Sequence, residues 1–201
     1  MLGSVAAADV LTFWFGQLDA DGCADDVHRD RWFGGGERFD QEIAERFDPL
    51  IERAVHGDLP RPTDASERLA WILVLDQFTR NTRRGSAAAF AGDERARAMA
   101  RRGIELGEDR QLGLDERAFF YLPFEHSEDL IDQHTAVGLF HLLHAEAPTH
   151  RRNISGNVLR YAERHRAAIL RFGRFPHRNA VLGRQSSEAE QAYLDDGGGF
   201  S

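Results

Sequence analysis

The sequence predicts an all-α fold, and three observations lead to this expectation. Apolar residues recur at the three- and four-residue spacing of amphipathic helices along most of the chain, and no stretch shows sustained two-residue alternation. Short connectors rich in glycine, proline and aspartate separate these segments. The 201 residues, 42% of them apolar, suffice for one hydrophobic core. We therefore expect a single domain over residues 1–201, with about eight helices stacked as antiparallel pairs.

The apolar spacing places the predicted helices along the whole chain. They cover Ala7–Phe15, Glu37–His56, Ser66–Arg80, Asp93–Leu106, Asp115–Tyr121, Ser127–Ala145, Asn153–Phe172 and a short last helix capped by Ser187. Gly16–Gly36 is predicted to be a loop, and the helix that contains Pro49 is expected to break or kink near Asp48. The helix before Pro123 should stop there. The glycine-rich tail, residues 197–201, is predicted to be disordered.

Composition excludes several classes of function. A net charge of −8 and the absence of a basic face argue against nucleic-acid binding. No apolar run approaches the roughly 20 residues that span a bilayer. One cysteine, Cys23, and no signal-peptide pattern lead us to expect a cytoplasmic protein. All 25 basic residues are arginine. A lysine Schiff base, a lysine general base and a phosphate-loop lysine are therefore excluded, and nothing in the sequence predicts a cofactor.

The first polar motif is an acid within an apolar helix. Asp76 shares a helical face with Leu69 and Ile72, so its carboxylate should be buried and needs a partner. Arg80 follows four residues later, at contact distance on a helix. Two interpretations stay open: a core ion pair between helices, or an acid that orients Arg80 towards an anionic ligand.

The second motif, Glu125–Gln133, is the densest acid cluster in the chain. Helix capping and the helix dipole explain Glu128 and Asp129. They do not explain His126, or Asp132 deeper in the helix. The polar residues of this cluster could bind a divalent cation, but no established metal-site spacing is present, so we predict no metal. Capping and ion pairing are the alternative.

The third motif, Arg171–Asn179, continues to Arg184. Its arginines are suited to bidentate recognition of carboxylate or phosphate. His177, beside Pro176, is a candidate acid or base. The alternative is that these arginines neutralise the acids of the second motif. His165, on an apolar helical face, is expected to be a hydrogen-bonded core histidine.

These motifs resemble the signatures of one family, the bacterial "domain of unknown function 924" family. The segments that carry the resemblance are Leu75-Asp76-Gln77-Phe78, Tyr121-Leu122-Pro123-Phe124-Glu125-His126-Ser127-Glu128-Asp129 and Arg171-Phe172-Gly173-Arg174-Phe175-Pro176-His177-Arg178-Asn179. The match extends over about residues 10–194. Thr79 stands where the family usually has proline. The resemblance implies a tetratricopeptide-like all-α fold and no assigned activity. The signature residues it carries over are Asp76, Arg80, Asn81, His126, Glu128, Asp129, His177, Arg178, Asn179 and Arg184.

The leading functional hypothesis is a polar cleft that binds a small anionic ligand where the three motifs meet. Its residues fall into three groups: Arg80, Asn81, Arg178, Asn179 and Arg184 to bind the ligand, Asp76, Glu128 and Asp129 to orient the arginines, and His126 and His177 for proton transfer. Whether the cleft also catalyses a reaction stays open. The alternative is a non-enzymatic helical adaptor for a protein or peptide, in which the motifs only brace the fold.

Overall fold

The computed structural model describes residues 2–200, except the side chains of residues 2–5 and 33. This part of the chain is all-α and contains no strand, as the sequence predicts. The helices are α1 (Leu2–Phe15), α2 (Asp26–Gly34), α3 (Gly36–His56), α4 (Ala65–Leu73), α5 (Thr79–Thr82), α6 (Asp93–Glu105), α7 (Leu114–Glu125), α8 (Leu130–Glu146), α9 (Arg152–Phe172) and α10 (Glu188–Asp195). A π-helical turn, Val74–Phe78, joins α4 to α5. None of the described helices is long and apolar enough to cross a membrane.

Helix α4 lies at the centre of the core. It packs against α1, α6 and α7, and Trp71, Ile72 and Leu73 on it are buried. The nearly all-round apolar sequence of this helix predicted that position. Neighbours in sequence are also neighbours in space: α6 packs on α7, α7 on α8, and α8 on α9. Local connections of this kind agree with the stacked arrangement expected from the sequence.

Three predicted boundaries are wrong. The predicted loop contains α2, which Asp25 caps by accepting a hydrogen bond from the His28 backbone N–H at 2.9 Å. Helix α3 runs through Pro49, so the predicted break is wrong, while the alternative of a kink stays a prediction. Pro49 is exposed, so water can satisfy the carbonyl that loses its donor. Helix α7 continues past Pro123 to Glu125, because buried aromatic residues hold it in the core on both sides of the proline.

The tail predicted to be disordered is ordered over residues 197–200, where it makes backbone hydrogen bonds and a ring contact. The Gly197 N–H donates to Leu194 O at 3.0 Å, and the Gly198 N–H donates to Tyr193 O at 2.8 Å. Phe200 then stacks on His165. The Phe200 side chain therefore attaches the tail to α9, a contact that the neighbouring glycines cannot make because they have no side chain. Ser201 lies outside the described residues.

Candidate functional site

The three polar motifs meet in space. The His126 ring, from the second motif, lies 2.8 Å through Nδ1 from Asp76 Oδ1 of the first motif. Arg178, from the third motif, donates through Nη2 to the backbone oxygen of His126 at 2.9 Å. His126 stands directly after α7, and Arg178 ends the short 3-10 turn Pro176–Arg178. One polar network therefore contains all three motifs, and we call it the motif network.

Asp76 is the most deeply buried member of this network. It lies in the π-helical turn, and its side chain is 1% exposed. Its carboxylate accepts hydrogen bonds from Arg80 Nη1 at 2.8 Å, from His126 Nδ1, and from Gln77 Nε2 at 2.6 Å. Burial opposes ionisation, but Arg80 and His126 outweigh it and hold the pKa of Asp76 well below its usual range. Asp76 is therefore a carboxylate at neutral pH. Thr79, where the family usually has proline, donates to Leu75 O within the same turn.

His126 is held in one tautomer by this carboxylate. Because a carboxylate can only accept, Nδ1 must carry the proton that it donates to Asp76. Burial lowers the pKa of His126, although the Asp76 charge opposes the shift. The ring is therefore neutral at pH 7, and Nε2 carries a lone pair. No described residue bonds Nε2, and the side chain is 15% exposed. This is the arrangement of a histidine that accepts a proton through Nε2.

Asp93 joins two of the arginines. Arg80 Nη2 donates to Asp93 Oδ2 at 2.9 Å, and Arg178 Nη1 lies 3.6 Å from the same oxygen. Burial raises the pKa of Asp93. The sequence gives no sign of this role for Asp93, because an acid in the first turn of a helix, here α6, is already explained by the helix dipole.

Of the three arginines in the motif network, Arg178 has the least charge compensation. Its guanidinium carbon lies between the rings of Phe90 and Phe175, 4.5 Å and 4.8 Å from their centroids. The side chain is 9% exposed, and Nε has no partner among the described residues. Asp93 Oδ1 is likewise buried without a partner. Burial and the nearby charge of Arg80 lower the pKa of Arg178 to about 10. A buried donor, Arg178 Nε, and a buried acceptor, Asp93 Oδ1, are thus left without hydrogen bonds on two neighbouring side chains.

Glu128 and Arg184 tie the third motif to the second. Arg184 donates to both carboxylate oxygens of Glu128, at 2.7 Å and 2.9 Å. Glu128 also accepts from the Phe175 N–H at 2.7 Å, while Arg184 donates to Phe175 O at 3.1 Å. Burial opposes ionisation, but these donors hold the pKa of Glu128 below its usual value. This pair behaves as the brace interpretation expects, because the two charges compensate each other through a bidentate contact, although Arg184 Nε is buried without a partner among the described residues.

Three predicted site residues have their described contacts elsewhere. Asn81 donates to Asp40 Oδ1 on α3 at 2.7 Å. Asn179 donates to Ser186 Oγ at 3.1 Å within its own turn. Asp129 does not orient an arginine: it caps α8 by accepting from the Ile131 N–H at 2.7 Å, and no described arginine lies within ion-pair distance.

The acids of the second motif diverge to separate partners. Glu125 pairs with His165 at 2.9 Å, and Asp132 pairs with Arg101 at 2.6 Å. Over the residues for which the structure gives side chains, no group of three histidine, cysteine or carboxylate residues could hold a metal ion. Ion pairing thus accounts for Asp132, which helix capping did not explain.

His177 lies beside the motif network without a hydrogen bond to it. Its ring is 5.5 Å from the Phe175 ring and 5.6 Å from the Phe200 ring. Burial and the Arg178 charge lower the pKa of His177 to about 4, and Nδ1 is buried without a partner among the described residues. His165 is buried and bonded through Nδ1 to Tyr161 O at 2.8 Å, as expected of a core histidine. Phe200, which contacts both histidines, could not be identified from a tail rich in glycine.

Comparison with known proteins gives a family and a fold but no activity. A solved structure of a protein of unknown function from Agrobacterium tumefaciens is 36% identical to this chain. It superposes with a TM-score of 0.81, and the match covers 96% of this chain and 98% of that one. No curated protein matches. The family model described as "Bacterial protein of unknown function (DUF924)" matches residues 10–198. The chain therefore belongs to the DUF924 family.

Proposed function

We propose that the motif network binds a small anionic ligand at Arg178. One observation carries this proposal: Arg178 is a buried guanidinium with no carboxylate at hydrogen-bond distance among the described residues. Arg80 is bonded to Asp76 and Asp93, and Arg184 is bonded to Glu128. The Arg178 charge is only partly compensated, because its ion-pair partner Asp93 lies 3.6 Å away. Such a buried charge is costly, so an anion placed against Arg178 recovers free energy that the free protein lacks.

The surroundings of Arg178 limit what the ligand can be. A side chain that is only 9% exposed admits a small anion rather than an extended one. The unsatisfied atoms Arg178 Nε and Asp93 Oδ1 favour a ligand with one acceptor and one donor. His126 Nε2 belongs to the same network, and Asp76 fixes its tautomer. The ligand therefore binds beside a neutral histidine that is able to accept a proton.

A thermal-shift titration tests the proposal. Inorganic phosphate, acetate and malonate are titrated against chloride at constant ionic strength. A ligand that binds only the folded state at one hundred times its Kd stabilises the protein by about 2.7 kcal/mol, so the melting temperature should rise by several degrees. Arg178→Ala should abolish this rise. Arg174→Ala is the matched control, because Glu190 and Gln185 O already satisfy Arg174. Retention of the rise in Arg178→Ala would refute the proposal.

The adaptor alternative rests on a different observation. Ile131 and Leu142 lie three turns apart on α8 and are 74% and 48% exposed. They are apolar side chains that a protein or peptide partner would cover. Under this alternative, no anion stabilises the native protein, and Arg178→Ala lowers the melting temperature only.

We also propose a cytoplasmic location and tetratricopeptide-like stacking. The free, buried Cys23 supports the former, since reducing compartments keep thiols unpaired, and consecutive packed helices support the latter.

A further inference from the structure

Phe200 occupies a place built for a flat ring. It stacks on His165 with ring centroids 3.5 Å apart and planes 18° apart. Phe175 and His177 contact it edge-on at 5.8 Å and 5.6 Å, and the Arg164 guanidinium lies 5.7 Å from its centroid. We call these four surrounding residues the ring box. Two imidazoles, a phenyl ring and a guanidinium are the groups with which proteins stack on aromatic rings.

The segment that carries Phe200 is weakly attached. Its described backbone hydrogen bonds are those of Gly197 and Gly198, and no described residue anchors the backbone of 199 or 200. Gly198 must be glycine here, because a Cβ atom would lie 2.3 Å from Tyr193 O. Glycine-rich chain has high conformational entropy when released. The ring box therefore holds an occupant that another aromatic ring can displace.

A surface cavity of about 390 Å³ adjoins this segment between α9 and α10. Gly197 and Gly198 form part of its wall, and Arg164 borders both the cavity and the ring box. Arg164 and Arg171 have no ion-pair partner among the described residues, and the guanidinium group of each lies within 6 Å of two aromatic rings. Among the described residues that line the cavity, Asp196 is the one acid that faces these two positive charges. Moving the segment aside would join the ring box, which is lined by aromatic rings and the Arg164 guanidinium, to a cationic cavity.

We propose that the cavity and the ring box form one binding site for a small ligand with an aromatic ring and an anionic group. The ring takes the place of Phe200 on His165, and the anion binds Arg164 and Arg171. Phe200 is then a tethered competitor that lowers the affinity of the site. The site does not use Arg178, so this inference goes beyond the proposed function and does not depend on it.

Calorimetric titration with benzoate and with phenyl phosphate tests the ring box. Phe200→Ala removes the competitor, and affinity for both probes should increase at least about fivefold over the native protein. Cyclohexanecarboxylate, which has the charge but no aromatic ring, should show no such increase. If phenyl phosphate binds more tightly than benzoate, the anionic group of the ligand is a phosphate. If benzoate binds more tightly, that group is a carboxylate. Equal affinity for benzyl alcohol and benzoate would overturn the anionic part of the proposal.

A second variant opens the site with Phe200 retained. Gly198→Ala cannot keep the observed path past Tyr193 O, so it should expel the segment and raise benzoate affinity as Phe200→Ala does. Gly138→Ala on α8 is the matched control, because its Cβ would meet nothing within 4 Å. The His165 ring proton should also move downfield in Phe200→Ala, since the stacked phenyl ring current is lost, and return on adding benzoate. No gain in affinity in either variant would overturn the proposal.

Arginine variants made in the Phe200→Ala background test which guanidinium binds the anionic group of the ligand. Arg164→Ala should weaken benzoate binding about tenfold, as expected for the loss of a direct guanidinium contact. Arg160→Ala, one turn earlier on α9, should leave the affinity unchanged. Arg178→Ala can act on this site only through Phe175, so it should change the affinity far less than Arg164→Ala does. If Arg178→Ala abolished binding and Arg164→Ala did not, the ligand would belong to the motif network and the placement proposed here would be wrong.

Discussion

Replacing Asp76 by alanine should be one of the most destabilising single changes in the protein. The side chain is 1% exposed and accepts hydrogen bonds from Arg80, His126 and Gln77 at 2.6–2.8 Å. Removing one partner of a buried ion pair costs about 3–5 kcal/mol, because the other charge stays buried. In Asp76→Ala, Arg80 still has Asp93 as a partner at 2.9 Å. We therefore expect a cost at the lower end of this range, about 3 kcal/mol. For a chain of this length that is a fall in melting temperature of about 6–12 °C.

Urea unfolding at pH 7, followed by circular dichroism, measures this cost. Asp129→Ala is the matched control, because it removes the same charge from a helix cap and should cost about 1 kcal/mol. The pKa of Asp76 is lowered in the folded state, so its stabilisation is complete above the unfolded pKa of about 3.9 and is lost as the pH falls below it. The difference in the free energy of unfolding between the native protein and Asp76→Ala should therefore be constant from about pH 5 to 8. It should become smaller below about pH 4. A cost no larger than that of Asp129→Ala would refute the buried ion-pair argument.

Three further predictions concern the brace, a buried histidine and helix α3. A double-mutant cycle with Glu128→Ala and Arg184→Ala should give a coupling energy of about 1–2 kcal/mol, and a coupling near zero would contradict the bidentate pair. Burial lowers the pKa of His177 to about 4, so the unfolded state binds more protons and stability should fall as the pH drops from about 6.5 to 4. His177→Gln should flatten that slope in urea titrations, and an unchanged slope would contradict burial of a neutral ring. Pro49→Ala restores a backbone donor for Glu45 O in the exposed middle of α3 and should stabilise by about 1–3 kcal/mol in thermal unfolding, whereas a loss of stability would argue against an unbroken helix.

The sequence predicted the helical fold because the apolar spacing is a local property. Helix α9 shows this: Ala162, His165 and Ile169 are buried on one face, and Gly173 ends the helix in a left-handed conformation. The continuity of α3 was not predictable from the same spacing. Whether a proline breaks a helix depends on which side faces water, and Pro49 faces out.

The motif network was predictable in part, through the requirement that a buried charge has a partner. That requirement correctly paired Asp76 with Arg80. It could not find Asp93 or Phe90, since each is an ordinary residue for its place in the chain and acquires its role only from long-range packing. Phe200 lies in a segment whose glycines indicate disorder, and its contact with His165 is likewise a tertiary one.

Phe175 connects the motif network to the ring box, and this connection is itself testable. Its ring contacts the Arg178 guanidinium at 4.8 Å and the Phe200 ring at 5.8 Å. Because a buried ring in a close-packed interior cannot shift towards one neighbour without affecting the other, Phe175→Leu should weaken both contacts. Double-mutant cycles of Phe175→Leu with Arg178→Ala and with Phe200→Ala should each give a coupling energy of about 0.5–1.5 kcal/mol in urea unfolding.

The control is Phe172→Leu, whose ring packs on Tyr193 and should not couple to Arg178→Ala. Coupling of Phe175 to Phe200 alone would mean that the Arg178 guanidinium depends on Phe90 rather than on Phe175. The two proposed sites would then be energetically independent. Coupling to both would mean that a ligand that displaces Phe200 also alters the packing of Arg178, the guanidinium to which we assign the small anion.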